Sequence, residues 1–176
     1  MNAAAHRGPG ARGFTLLELL VVLVIVGVTI SMISLSIGTR GPQTVLTEQA
    51  RRLAALIDMA GQQAVMSSEQ YGMRFTPHGY EFMVLDEKNW HPVADDTILR
   101  PRRLAAGMRL TLKVSGQTVA LGAGGDDTKP DVYLYSTGER TPFTATLRIE
   151  SGGAPVRVVV PFSGRIRVKA AAEPPG

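Results

Sequence analysis

The first strong pattern in the chain is a run with almost no polar interruption. Phe14 to Ile37 is 24 residues long and holds a single charged side chain, Glu18. At about 1.5 Å per residue this predicts a helix of about 36 Å, enough to cross a hydrocarbon core of about 30 Å. Gly27 interrupts the run, and Gly38, Gly41 and Pro42 mark its end. Glycine and proline at these points weaken a helix and bend or end it. After Pro42 the spacing changes. Leu46, Ala50, Leu53, Ile57, Ala60 and Ala64 form one apolar stripe, with Glu48, Arg51, Asp58 and Gln62 off it. That spacing predicts an amphipathic helix lying on a sheet. Arg51-Arg52 raises the idea of a phosphate or lipid contact, against the plainer reading of a solvated helix face.

From Tyr71 the apolar period falls to two and turn residues multiply. Predicted strands are Tyr71 to Thr76, Gly79 to Leu85, Met108 to Val114, Gln117 to Leu121, Asp131 to Ser136, Phe143 to Glu150, Val156 to Phe162 and Arg165 to Lys169. Hairpins are expected at Pro77-His78-Gly79, Ser115-Gly116 and Ser163-Gly164. One long helix followed by many short strands is an α+β arrangement: a helix packed on antiparallel sheets or a β-sandwich. The expected segments are 1–13, a basic leader; 14–37, a membrane-spanning helix; 38–70, its amphipathic continuation; 71–169, a β-rich domain; and 170–176, a tail.

Composition changes this picture little. The 176 residues are 44% hydrophobic and 19% charged, the values of a packed protein. The formal charge is +4, but Arg7 and Arg12 precede the apolar run; without them 17 basic residues face 15 acidic ones. So slight an excess gives no general licence for nucleic-acid binding. Cysteine is absent, which excludes disulfides and thiolate metal sites. Arginines before the apolar run place the N-terminus on the cytoplasmic side and the β-rich domain on the other.

Three readings compete for the apolar run. A secretory signal has a shorter apolar stretch with its small-residue cleavage site behind it, whereas here the small residue, Gly13, stands in front. A plain anchor explains the length but not Glu18, because a carboxylate inside a membrane costs at least about 2.5 kcal/mol on insertion scales and calls for a partner. Glu18 snorkelling to the interface is the ordinary alternative. Gly13-Phe14-Thr15-Leu16-Leu17-Glu18-Leu19-Leu20-Val21-Val22 resembles the processing signal of type IV pilins and type II secretion pseudopilins. The resemblance implies that a prepilin peptidase cleaves after Gly13 and N-methylates Phe14. It also implies that Glu18 pairs with the N-terminal amine of a neighbouring subunit in the filament core. Pairing removes most of the cost of a buried charge.

Phe75-Thr76-Pro77-His78-Gly79-Tyr80, Trp90, the stretch Tyr135 to Phe143 and Gly164-Arg165-Ile166-Arg167-Val168 resemble the H-type minor pseudopilins (GspH) of type II secretion. That resemblance implies an inner-membrane subunit with a periplasmic domain, near the tip of a short pseudopilus that supports secretion of folded proteins. The implied partners are the prepilin peptidase, the major pseudopilin, the I-, J- and K-type minor pseudopilins and secreted exoproteins. The alternative is a type IV minor pilin of the FimT or FimU type, in pilus assembly or DNA uptake. Arg165, Arg167 and Lys169, on one face of the last strand, echo the basic C-terminal region of FimT-like subunits. Basic residues on an edge strand are also ordinary protection against edge pairing.

No catalytic constellation stands out, so no enzyme activity and no cofactor are expected. His6, His78 and His91 have no metal-ligand spacing. Asp95-Asp96 and Asp126-Asp127 are loop carboxylate pairs; Asp126 and Asp127 with Asp131 nearby form a weak candidate calcium set that fits no defined calcium loop.

Overall fold

The computed structural model describes residues 16–36, 41–93, 96–122 and 128–170. It falls into two bodies, one holding the first helix and the other beginning at residue 40. The first helix, α1, runs Leu16–Ser36. In the second body, α2 covers Pro42–Ser67, with Pro42 in its first turn and Gly41 before it. The carbonyl of Gly41 accepts the N–H of Thr44 at 2.8 Å. Proline suits this place because its missing N–H is one the first turn leaves unbonded anyway. The helix closes at Ser68, which adopts the left-handed conformation at φ 57°.

The strands build two antiparallel sheets. The first contains β1 (Tyr71–Thr76), β2 (Gly79–Asp86), β3 (Asn89–Pro92) and β4 (Arg102–Arg103). The second takes β5 (Met108–Val114) and β6 (Gln117–Val119); β7 (Val132–Leu134) returns to the first; β8 (Phe143–Ile149), β9 (Val156–Val160) and β10 (Arg167–Ala170) complete the second. The order is β3-β2-β1-β7, with β4 also on β2, and β10-β9-β8-β5-β6. This is the expected α+β class, resolved into two sheets.

The buried face of α2 is Leu46, Ala50, Leu53, Leu56, Ile57, Ala60 and Ala64. It meets β8, β9 and β10 of the second sheet and β1 and β7 of the first. The alanines let the helix axis come close to the strands, while the leucines fill the space between. The two sheets also touch directly: Phe75 of β1 and Phe143 of β8 meet edge to face at 5.7 Å. Main-chain bonds tie the β1–β2 turn to the second sheet, the Leu110 N–H donating to the Pro77 carbonyl at 2.8 Å.

The observed strands depart from the expected ones where turns intervene. The β10 strand starts at Arg167 rather than Arg165, since Gly164 is still turning at φ 90°. The β7 strand is shorter than Asp131 to Ser136 because the Tyr135 N–H turns back to the Glu139 carbonyl at 2.9 Å. Strands β3 and β4 were not expected. The β2–β3 turn hides well: Glu87 and Lys88 both have positive φ, 44° and 84°, where asparagine and glycine are the usual occupants. Ser115-Gly116 forms the expected turn between β5 and β6, with φ of 50° and 84°.

Candidate assembly site

Glu18 lies in the first turn of α1, where the positive end of the helix dipole favours an acid. Around it every large apolar side chain from Leu16 to Val28 is exposed, from 44% at Val26 to 83% at Leu16. Gly13 and Phe14 lie outside the described residues. Side chains of α1 are described for residues 16–28, about 20 Å of helix; among the described residues no helix is long and apolar enough to cross a membrane. What α1 presents is an apolar surface on all sides with one acid near its start.

Asp131 sits where the chain enters β7. Its carboxylate accepts the Phe75 N–H at 2.7 Å, and its own N–H donates to the Met73 carbonyl at 2.8 Å. Burial raises its pKa above the ordinary carboxylate value, against the opposing pull of the Phe75 hydrogen bond and of Arg74. Asp131 thus fastens the start of β7 to β1. Asp126 and Asp127 lie outside the described residues, and the described residues hold no group of three or more metal-ligating side chains. Asp96 caps a turn, accepting the N–H groups of Ile98 at 2.6 Å and Leu99 at 2.9 Å, which lower its pKa. Asp95 lies outside the described residues. His78 Nδ1 is 3.3 Å from the Met108 carbonyl, in the turn that bridges the sheets. His91 is exposed on β3.

Arg140 has a place that sequence reasoning did not predict. It is 8% exposed, a buried cation beside the C-terminal half of α2. Its Nη2 donates to the Gly164 carbonyl at 2.8 Å, and Nη1 lies 3.6 Å from Asp58. The Arg140 N–H and the Phe162 carbonyl bond at 2.9 Å. A groove of about 350 Å³ opens beside it, lined by Gly61, Val65, Met66 and Gly138. The cue in the sequence was a lone arginine after Gly138-Glu139, which reads as one more turn charge.

The last strand carries Arg167 and Lys169 outward, with Arg165 exposed in the turn before it. Strand β10 is an edge of the second sheet. The outer face of the first sheet is different. There Trp90, Tyr133 and Tyr135 form a row, with ring centroids 5.6 Å and 6.2 Å apart. Gly72 makes the row possible: a Cβ there would lie 2.5 Å from Pro130 and 3.2 Å from the Trp90 ring.

An apolar N-terminal helix with an early glutamate, followed by a helix laid on antiparallel sheets, defines a pilin-like subunit. Comparison with known proteins agrees at each level. Residues 9–37 match the prokaryotic N-terminal methylation motif, and residues 49–164 match the family of type II transport protein GspH. The chain belongs to the GspH family. It is 36% identical over 146 residues to a type II secretion system protein H from Pseudomonas aeruginosa, covering 78% of this chain and 83% of that protein. Another from Aeromonas hydrophila is 30% identical over 145 residues, covering 77% and 79%. The fold matches the minor pseudopilin EpsH of the Vibrio cholerae type 2 secretion system with a TM-score of 0.63. That match has 21% identity and covers 74% of this chain and 99% of that one. The solution structure of Escherichia coli GspH matches with a TM-score of 0.60 at 20% identity, covering 76% and 94%.

Proposed function

We propose that the protein is a structural minor pseudopilin of type II secretion, processed after Gly13, N-methylated at Phe14 and held in the inner membrane by residues 14–37 before assembly. The observation that carries this reading is the coincidence of the methylation motif over 9–37 with the GspH match over 49–164 in one chain. Relatives named type II secretion system protein H favour this role over that of a pilus subunit. The prepilin peptidase is then an obligatory partner, and the other pseudopilins are the structural ones. The position near the filament tip follows from the H-type role. The globular body lies in the periplasm, where its loops meet neighbouring subunits and secreted proteins.

The chemistry of assembly rests on Glu18. Removing Met1 to Gly13 leaves an ammonium on Phe14, and a neighbour's Glu18 neutralises it between apolar helices. An unpaired charge there is far more costly than a paired one. Glu18→Ala is expected to leave cleavage intact and to lower recovery of the subunit in sheared or cross-linked pseudopili by at least tenfold. Wild-type recovery of that variant sinks the pairing role.

A further inference from the structure

The outer face of the second sheet carries a charge pattern that filament packing by α1 does not require. Strand alternation turns Arg109, Thr111 and Lys113 of β5 outward, with Thr144, Thr146 and Arg148 of β8, Arg157 and Val159 of β9, and Arg167 and Lys169 of β10. Six of these ten are cations and none is an acid. Glu150, just past β8, meets only the corner of the face, where it pairs with Arg109 at 2.8 Å. Register places like charges directly opposite each other, Arg109 across from Arg148 and Lys169 across from Arg157. Such pairs weaken a sheet. Glu150 offsets the first through Arg109, which leaves the second unexplained by the fold.

The face also has a receptor. Lys113 and Arg167 stand on either side of an open depression of about 340 Å³, with Thr144 and Val159 in its floor and Pro161 at its rim. They are three inter-strand steps apart, about 14 Å between Cα atoms. Cations on either side of a hollow of this size suit the phosphate of a lipid headgroup. Tethering by residues 14–37 also keeps this face at high effective concentration near a bilayer.

We infer that the outer face of the second sheet docks on anionic phospholipid headgroups, with the depression between Lys113 and Arg167 receiving a headgroup phosphate. This rests on the membrane anchor proposed above. It describes the subunit lying on the membrane before it enters the filament.

The full chain has no cysteine, so Thr146→Cys places a single environment-sensitive fluorophore at the centre of the face, and Thr76→Cys places one on the outer face of the first sheet as control. Each is reconstituted into vesicles of phosphatidylcholine alone or of phosphatidylcholine and phosphatidylglycerol in equal parts. Flotation in alkaline carbonate reads the anchor separately. The expected result is equal flotation in both lipids, with a response at residue 146 only where phosphatidylglycerol is present and none at residue 76. The response disappears at 1 M salt, where the screening length is about 3 Å. Arg157→Gln with Lys169→Gln weakens surface association on the order of thirtyfold; Lys113→Gln with Arg167→Gln does so at the depression, should the first pair disturb the sheet. Equal response in both vesicles overturns the inference. So does a response to inorganic phosphate, polyglutamate or a DNA duplex without one to phosphatidylglycerol. Lost flotation with a retained phosphatidylglycerol response refutes the anchor and leaves the docking surface standing.

Discussion

The two helices of this chain are built for opposite surroundings. In α2 one stripe is apolar, and its seven buried residues face the sheets. In α1 the apolar residues go all the way round, and those from Leu16 to Val28 are exposed. Hydrophobicity placed on one side is spent within the subunit, whereas hydrophobicity on every side waits for lipid or for other helices. Two carboxylates also differ in their surroundings. Asp131 is half-buried and accepts the Phe75 N–H. Glu18 stands among exposed apolar side chains, and the role proposed for it involves another subunit.

That contrast can be broken most forcefully in α2. Leu53 is fully buried, so Leu53→Ala is expected to cost about 2–5 kcal/mol in chemical denaturation of the second body. Leu20→Ala in α1 is expected to leave the same transition unmoved; a comparable loss from Leu20→Ala would contradict the division of labour. Next in size is Asp131. Replacing it with alanine leaves the Phe75 N–H without its acceptor, an expected loss of about 1–3 kcal/mol. Asp131→Asn, which keeps an acceptor oxygen, should lose much less. The pH dependence has a definite sign. The folded pKa of Asp131 is raised above its ordinary 3.8, mainly by burial, so its stabilising contribution is complete below that value and declines as pH rises through the raised one. Subtracting the Asn variant's pH–stability curve from the wild-type curve isolates that term, and the opposite slope would refute it.

The smallest effect tests the turn between β2 and β3. Lys88 has φ 84°, a left-handed conformation in which glycine has no Cβ to clash. Lys88→Gly is expected to stabilise the second body by about 0.5–1 kcal/mol, measured as a shift in denaturation midpoint. An unchanged or lowered midpoint would mean that the Lys88 side chain makes up for its backbone strain.

The same contrasts explain what could be seen in the sequence. The stripe of α2 was legible because a period of 3.6 survives whatever it packs on; Leu56, the one buried leucine outside that spacing, widens the stripe toward the sheets. Strands with an alternating apolar face, such as Met108–Val114 and Phe143–Ile149, were legible for the same reason. Strand β3 was not, because Glu87-Lys88 does not look like a turn and the burial along Asn89–Pro92 barely alternates. The sequence pattern starts a strand at Asp131 and makes it a weak calcium candidate beside Asp126 and Asp127. Its hydrogen bond was not legible, because the N–H it accepts comes from Phe75, 56 positions earlier. The buried setting of Arg140 depends on α2 and the chain around Gly164, which only the fold brings together. The basic face of the second sheet was half visible as Arg167 and Lys169, with Arg165 lying instead in the turn before β10. Pairing register added Arg157, Arg148, Arg109 and Lys113.

The central claim is that this subunit is matured at Gly13 and enters a filament through α1. Mass spectrometry of the N-terminal peptide from membrane-extracted protein, in cells with and without prepilin peptidase, tests it most directly. The account predicts a chain beginning at Phe14 with one added methyl group in the first case, and retention of Met1 to Gly13 in the second. A leader still attached when the peptidase is present would contradict it.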